Sequence, residues 1–381
     1  MKITFYITGI VDFQDLLPAV ITSIRRGHEC RVYIFDCLQK KRQFYYYDQA
    51  SLVNFVQSVL KANAVTCEVK FYGQHDQKAF NREFDSFTPD YIMLQNAKHR
   101  YPIWYPTSGD SKIIHFAWHM DSAQALVRGH YKAHLNVVKR SLDLAYYGSD
   151  SPDWLELSKS EKDQVSRIES RYFGNFRLES LNYNSFFDSL RLEGTKNKKT
   201  CFICEAHLKP GKDNYTEIPK FVDELLERLH KNNYYVFWKK REKGYPKEKW
   251  NSPLDFCKNS PDFIIEKDLN FPSAIVYLPY VCDASFVINT SCAYWDVKKV
   301  NMNAAMLQTK DPGSREEKYI KLVYEKGDPN AQFDLIKMHE NNSWETLDCW
   351  LAMGKKINYQ YIRQQSPSTK LLKYMESEFN D

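Results

Sequence analysis

Strand-like and helix-like periodicities alternate along the first half of the chain. Apolar runs at residues 3–8, 30–36 and 67–72 read as short buried strands, while apolar positions recurring three and four residues apart near 15–26 and 50–63 read as amphipathic helices between them. Further strand-like runs follow at 91–94, 112–117 and 142–147. This order predicts a parallel sheet, because a crossover that holds a helix returns the chain in its original direction. The first half therefore predicts a doubly wound α/β unit of about six strands, with function to be sought in the loops after their carboxyl ends.

Between 183 and 199 the chain turns polar and ends in Thr195-Lys196-Asn197-Lys198-Lys199, a composition suited to a crossing between domains. A second series of strands then begins, at 200–204, 234–238, 263–265 and 285–288. Its clearest helix spans 217–231, with Pro219 in the first turn, where a missing N–H costs nothing. From Ser343 onward the pattern gives two helices, 343–355 and 368–379. The predicted organisation is an N-terminal Rossmann-like domain over 1–185, a second Rossmann-like domain over 186–345, and carboxyl-terminal helices over 346–381 that pack back on the first. A length of 381 residues suits two cores better than one.

Composition narrows the class of ligand only a little. The 53 basic and 48 acidic side chains leave a net charge of +5, too balanced to point to nucleic acid by itself but compatible with an anionic ligand or a membrane surface. The nine cysteines are odd in number and lie mostly inside apolar runs, which predicts buried thiols in a reducing compartment. Cys201 and Cys204 lack a second pair at zinc spacing, and a strand would set them on opposite faces. The amino terminus reads as a first strand rather than a signal peptide, and no run reaches the ~18 apolar residues of a membrane span. The expected location is cytoplasmic, with peripheral membrane contact left open. The sequons at Asn214, Asn289 and Asn341 then carry no meaning.

The stretch from Cys282 to Asp296 is the most informative. Apolar Ser285-Phe286-Val287-Ile288 runs into Asn289-Thr290-Ser291, short side chains that cap a helix while leaving its first N–H groups and the positive end of its dipole open to phosphate. An ordinary capped turn would have the same sequence; its neighbours in the chain favour the functional reading. The segment Val287 to Asp296 resembles the donor-phosphate motif of type B glycosyltransferases, and is most similar to that of the CDP-glycerol glycerophosphotransferases and related capsule-polymer transferases, with Asn289 and Cys292 standing where Asp and Ser are usual. Ile113-Ile114-His115-Phe116-Ala117-Trp118-His119-Met120 is similar to the family's strand-Trp-His-Gly loop, with Met120 in place of Gly. Ala145-Tyr146-Tyr147-Gly148-Ser149-Asp150-Ser151 is similar to its strand-Ser-x-Ser turn. The likeness covers residues 90–310.

That resemblance implies two Rossmann-like domains facing across a cleft, a nucleotide-linked donor (UDP or CDP) bound by the second, no tightly bound cofactor, and a glycan or other hydroxyl acceptor. Transfer needs a base for the acceptor hydroxyl, stabilisation of the diphosphate leaving group and exclusion of water. His119 is the expected base, its ordinary pKa near 6.5 suiting neutral pH; His115, within the strand, is expected to be structural. Glu205 is its expected catalytic companion. Donor contacts are expected from Asn289, Thr290, Ser291 and Cys292, from His207 and Lys209 after the second domain's first strand, from Lys239 and Arg241 in the basic loop, and from Asp296, which could instead pair with a base such as Lys298. No Asp-x-Asp is present, and His130 and His134 have no third partner, so no metal is expected. Glycine-rich dinucleotide and P-loop motifs are absent.

Other readings stay open. A nucleotide-sugar 2-epimerase shares the fold and would use carboxylates such as Glu205 and Asp121 to move a proton. A catalytically inactive relative would keep the fold as a binding module. A nucleic-acid binder would use the basic stretch 239–249 with Trp238, Tyr245 and Trp250 as stacking groups, although the balanced charge speaks against it.

Overall fold

The computed structural model describes residues 1–7, 10–35, 49–73, 75–95, 111–117, 141–146, 169–174, 176–179, 195, 197–205, 217–241, 252–266, 274–289, 293–309, 334–364 and 366–380. They form two compact units, Met1–Phe186 with Gln365–Asp381, and Phe187–Gln364.

In the first unit, strands β1 (Lys2–Ile7), β2 (Glu29–Phe35), β3 (Glu68–Tyr72), β4 (Tyr91–Gln95), β5 (Lys112–Ala117), β6 (Ser141–Tyr146) and β7 (Glu169–Tyr172) form one parallel sheet in the order β3-β2-β1-β4-β5-β6-β7. The expectation of six strands is one short. Glu-Ser-Arg-Tyr of β7 has no apolar alternation, so its pairing with β6 rests on backbone hydrogen bonds that composition does not announce. Helices Ile10–Arg25, Gln49–Ala62 and Gln77–Phe87 are the crossovers. The last presents Phe80, Phe84 and Phe87 inward at helical spacing, and Phe80 sits edge-on to Tyr6, Tyr33, Phe35 and Tyr72 with ring centroids 5.2–5.9 Å apart.

The Pro367–Asn380 helix returns to this first unit. The Tyr91 hydroxyl donates to the Met375 carbonyl (3.1 Å), and Glu376 accepts from His28 Nε2 (2.9 Å) and Arg26 Nε (2.8 Å). At the helix start, the buried Glu179 carboxylate accepts from the Ser368 backbone N–H (3.1 Å) and its hydroxyl. Burial pushes the Glu179 carboxyl up to about 7, outweighing the opposing effect of those bonds.

In the second unit, β8 (Lys199–Glu205), β9 (Tyr234–Lys239), β10 (Phe263–Ile265), β11 (Ala284–Ile288), β12 (Ala304–Gln308) and β13 (Leu335–Lys337) form a parallel sheet ordered β10-β9-β8-β11-β12-β13. The Glu217–Lys231 helix buries Ile218, Phe221, Val222, Leu225, Leu226 and Leu229, an i, i+3, i+4, i+7 stripe, against Cys201, Ile203, Val236 and Trp238. Each such side chain contributes roughly 1.5–3 kcal/mol on burial. Cys201 and Cys204 are both buried and unbridged, as a strand covered on both faces requires. The helix expected over 343–355 stops earlier, as Ser343–Ala352: Gly354 takes a left-handed φ of 68°, a residue without Cβ placed where the chain leaves the helix.

Candidate functional site

Strand order in the second unit creates a defined place for a ligand. From β8 the chain builds outward through β9 and β10 on one side, then crosses to β11 and builds through β12 and β13 on the other. Connections therefore leave β8 and β11 on opposite sides of the sheet, which opens a crevice outside their carboxyl ends. Glu205 ends β8 in register with Ile288, the last residue of β11, and Asn289 follows.

Asn289 shapes this edge. Its φ of 60° is left-handed, a conformation that Asn tolerates better than most residues because its short amide can bond locally. Its Oδ1 accepts from both the backbone N–H and the hydroxyl of Thr309 (3.0 Å each), and its own N–H donates to the Leu307 carbonyl (2.8 Å). The turn after β11 is thereby fixed to the turn after β12. The Asn289 acceptor oxygen is thus engaged within the protein. Asp could supply the same acceptor, so the departure from the usual residue keeps this contact.

The chain then enters the Ala293–Val300 helix, with Asp296 in its first turn and Lys298 and Lys299 in its last, an arrangement that complements the helix dipole. The Lys298 ammonium is committed to Asp334 and to the carbonyls of Met302 (2.6 Å) and Ala304 (3.2 Å). Burial lowers the pKa of Lys298, with Asp334 opposing it.

Glu205 is nearly sealed, at 2% exposure. Its Oε2 accepts from Trp238 Nε1 (3.1 Å) and Ser252 Oγ (3.0 Å), while Oε1 has no hydrogen-bond partner among the described residues. Burial raises the carboxyl's pKa, against those two bonds and the nearby Lys240 and Lys239. Ser252 also caps the Pro253–Phe256 turn by accepting from the Leu254 N–H. The carboxylate therefore fastens β8 to the end of β9 and to the point where the basic loop rejoins the fold. Lys239 is buried at the tip of β9, and Lys240 lies 3.4 Å from Glu266 and 3.6 Å from Asp255. Gln308, 3% exposed, ends β12 with an Oε1 that lacks a hydrogen-bond partner among the described residues.

No protein-family profile matches the chain, and no curated protein matches it in sequence. Solved structures do match it. UDP-GlcNAc 2-epimerase from Neisseria meningitidis, bound to UDP-GlcNAc, aligns over 99% of this chain and 100% of its own with a TM-score of 0.58 at 11% identity. S. aureus MnaA in complex with UDP aligns over 100% and 97% with a TM-score of 0.55 at 10% identity. The spinosyn forosaminyltransferase SpnP aligns over the whole of both chains with a TM-score of 0.51 at 10% identity. The chain has the type B glycosyltransferase fold.

Within that fold, Glu205, Lys239, Asn289 and Asp296 lie at or just beyond the carboxyl tips of β8, β9 and β11, and Arg241 follows Lys239 by two residues. His119, His207, Lys209, Thr290, Ser291 and Cys292 lie outside the described residues, as do Asp121, His130, His134, Tyr245 and Trp250. His115 falls within β5. Trp238 is fully buried, so it offers no face for stacking a nucleobase. Sequence reasoning missed Ser252, Thr309 and Gln308. Only Gln308 carried a signal, as a polar residue closing the apolar run of β12. Among the described residues no group of His, Cys, Asp or Glu is placed to hold a metal ion, and no helix is long and apolar enough to cross a membrane.

Proposed function

We propose that this protein is a glycosyltransferase that moves a sugar, or a polyol phosphate, from a nucleotide-activated donor to a hydroxyl of a glycan or similar acceptor. The observation that carries the reading is the left-handed, doubly pinned turn at Asn289, at the crevice between β8 and β11 and leading into the Ala293–Val300 helix. Such a turn offers backbone N–H groups and a helix dipole to a diphosphate without requiring a metal. In this proposal Thr290, Ser291 and Cys292 line the phosphate site, Asp296 serves donor hydroxyls, and His207, Lys209, Lys239 and Arg241 supply further donors of hydrogen bonds and positive charge. His119 is the general base. Glu205 acts through Trp238 and Ser252, which it holds, because its carboxylate is covered and half engaged.

The solved structures support a nucleotide-sugar ligand, since the Neisseria epimerase holds UDP-GlcNAc and MnaA holds UDP. A second reading, a UDP-sugar 2-epimerase, has the same support, because the Neisseria epimerase and the transferase SpnP both align over the full length of this chain. Burial of Glu205 weighs against that reading, which needs an accessible carboxylate.

Calorimetric titration with UDP, CDP and their sugars tests the site. Binding of one of them is expected, with loss of measurable affinity in Ser291→Asp, whose carboxylate would oppose the phosphates by charge and bulk; unchanged affinity in that variant removes the phosphate assignment. Incubation with UDP-sugars alone separates the readings: an epimerase alters them without acceptor, a transferase does not.

A further inference from the structure

The opposite, amino-terminal edge of the second unit's sheet carries a face that the donor reading leaves unexplained. Residues 353–363 run across it, joined to the chain before β12 by the Met302 N–H donating to the Lys356 carbonyl (2.7 Å), by Asn358 N–H to the Val300 carbonyl (3.0 Å), and by a bridge between Asn301 and Ile357. Tyr359 meets Tyr280 edge-on at 6.2 Å, and Lys355 lies over the Tyr280 ring at 5.6 Å while donating to the Val281 carbonyl. Three separate segments are thus joined along this edge.

This surface exposes large apolar side chains that the fold does not cover. Met353 is 57% exposed, Tyr359 50% and Met302 41%. The charges among them have one sign: Lys355, Lys356 and Arg363 are exposed, and residues 352–364 and 297–303 contain no acid. The nearby acid, Asp283, gives its Oδ2 to the Thr200 N–H (2.7 Å) and hydroxyl (3.1 Å), and Lys298 is already held by Asp334. Flexible thioethers and an amphipathic phenol ringed by unneutralised lysines suit a fluid, negatively charged, shallow apolar layer better than a shaped protein groove.

We propose that this face docks on an anionic phospholipid bilayer. Met302, Met353 and Tyr359 enter the headgroup layer, and Lys355, Lys356 and Arg363 meet lipid phosphates. The chemistry is that of interfacial binding, in which buried apolar area and basic charge act together.

Sedimentation of the full chain with vesicles tests this. Binding to phosphatidylcholine–phosphatidylglycerol vesicles is expected, with little on phosphatidylcholine alone and weakening as salt is added. Lys355→Glu with Lys356→Glu should lower the partition coefficient by ~30-fold or more, on about fivefold per lysine near an anionic surface. Met353→Ser with Tyr359→Ser should lower it by ~10-fold. All four positions are exposed, and a thermal melt of each variant is the check that it folds; should one pair fail, the other still reads the face. No vesicle binding, equal binding to neutral vesicles, or wild-type binding by both variants would overturn the proposal. So would a dimer in sedimentation velocity that Met353→Ser with Tyr359→Ser dissolves without any vesicle binding, which would assign the face to a second copy of the chain.

Discussion

The two parallel sheets share one strand order over their first six strands and finish those strands differently. In the first unit β1, β2, β3 and β4 end in Ile7, Phe35, Tyr72 and Gln95, and Phe35 and Tyr72 join Tyr6, Tyr33 and Phe80 in an aromatic cluster on one face of the sheet. In the second, β8 and β9 end in Glu205 and Lys239, and β11 passes into Asn289. Topology supplies the same crevice twice. At the second unit's described edge, Glu205 and Asn289 are held in hydrogen bonds to Trp238, Ser252 and Thr309, which is why that unit carries the stronger case for a ligand.

Breaking the packed side should have the largest effect. Phe80→Ala removes a fully buried ring packed against Tyr6, Tyr33, Phe35, Tyr72 and Phe84 and should cost about 4 kcal/mol, read as a fall in the urea midpoint of the first unit's transition. If the midpoint barely moves, the contrast between the units is wrong.

The tether of the Pro367–Asn380 helix comes next. The folded state raises the Glu179 carboxyl from its ordinary 4.5 to about 7, so it holds a proton that the unfolded chain releases. Stability from this group is therefore greatest at acid pH and declines as pH rises from about 4.5 to about 7, by ~3 kcal/mol in total. Glu179→Gln should flatten that part of the stability profile; an unaltered profile would place the titration elsewhere.

On the polar side, Glu205→Ala leaves the Trp238 indole and the Ser252 hydroxyl without their acceptor and should cost about 2–3 kcal/mol. Glu205→Gln, which keeps an acceptor oxygen, should cost less and retain nucleotide affinity. Greater damage from Gln than from Ala in chemical denaturation would contradict the strut role.

Asn289 offers the finest distinction. Asn289→Ala loses both bonds from Thr309 and places an ordinary side chain at positive φ, for about 2 kcal/mol, whereas Asn289→Gly relieves the backbone part of that, about 1 kcal/mol. Equal melting temperatures for the two variants would show that the conformation carries no strain.

Much of the fold was legible because each buried strand is a compact apolar run and each major crossover shows an apolar stripe. The strands at 112–117 and 263–265 were read to the residue. What escaped had weak local signal: β13 is three residues long, β12 begins with two alanines, and the Ala274–Val281 helix is apolar on all sides with Pro279 inside it. The site was legible as a turn but not as a network. Asn289 could be found from its position after β11, whereas its bond to Thr309, and those of Glu205 to Trp238 and Ser252, join residues 20 to 47 positions apart and depend on sheet pairing.

The return of the last helix to the first unit has a consequence for biosynthesis. Residues 187–364 form an unbroken stretch, whereas the N-terminal unit draws on both ends of the chain, with Arg26 and Glu376 separated by 350 positions. A ribosome therefore delivers everything that the middle unit requires while its elder neighbour still awaits a closing piece, so the part made first is finished last. Nascent chains halted before Pro367 should leave the Tyr91 side of that earlier lobe uncovered, a natural resting place for a chaperone until that helix emerges.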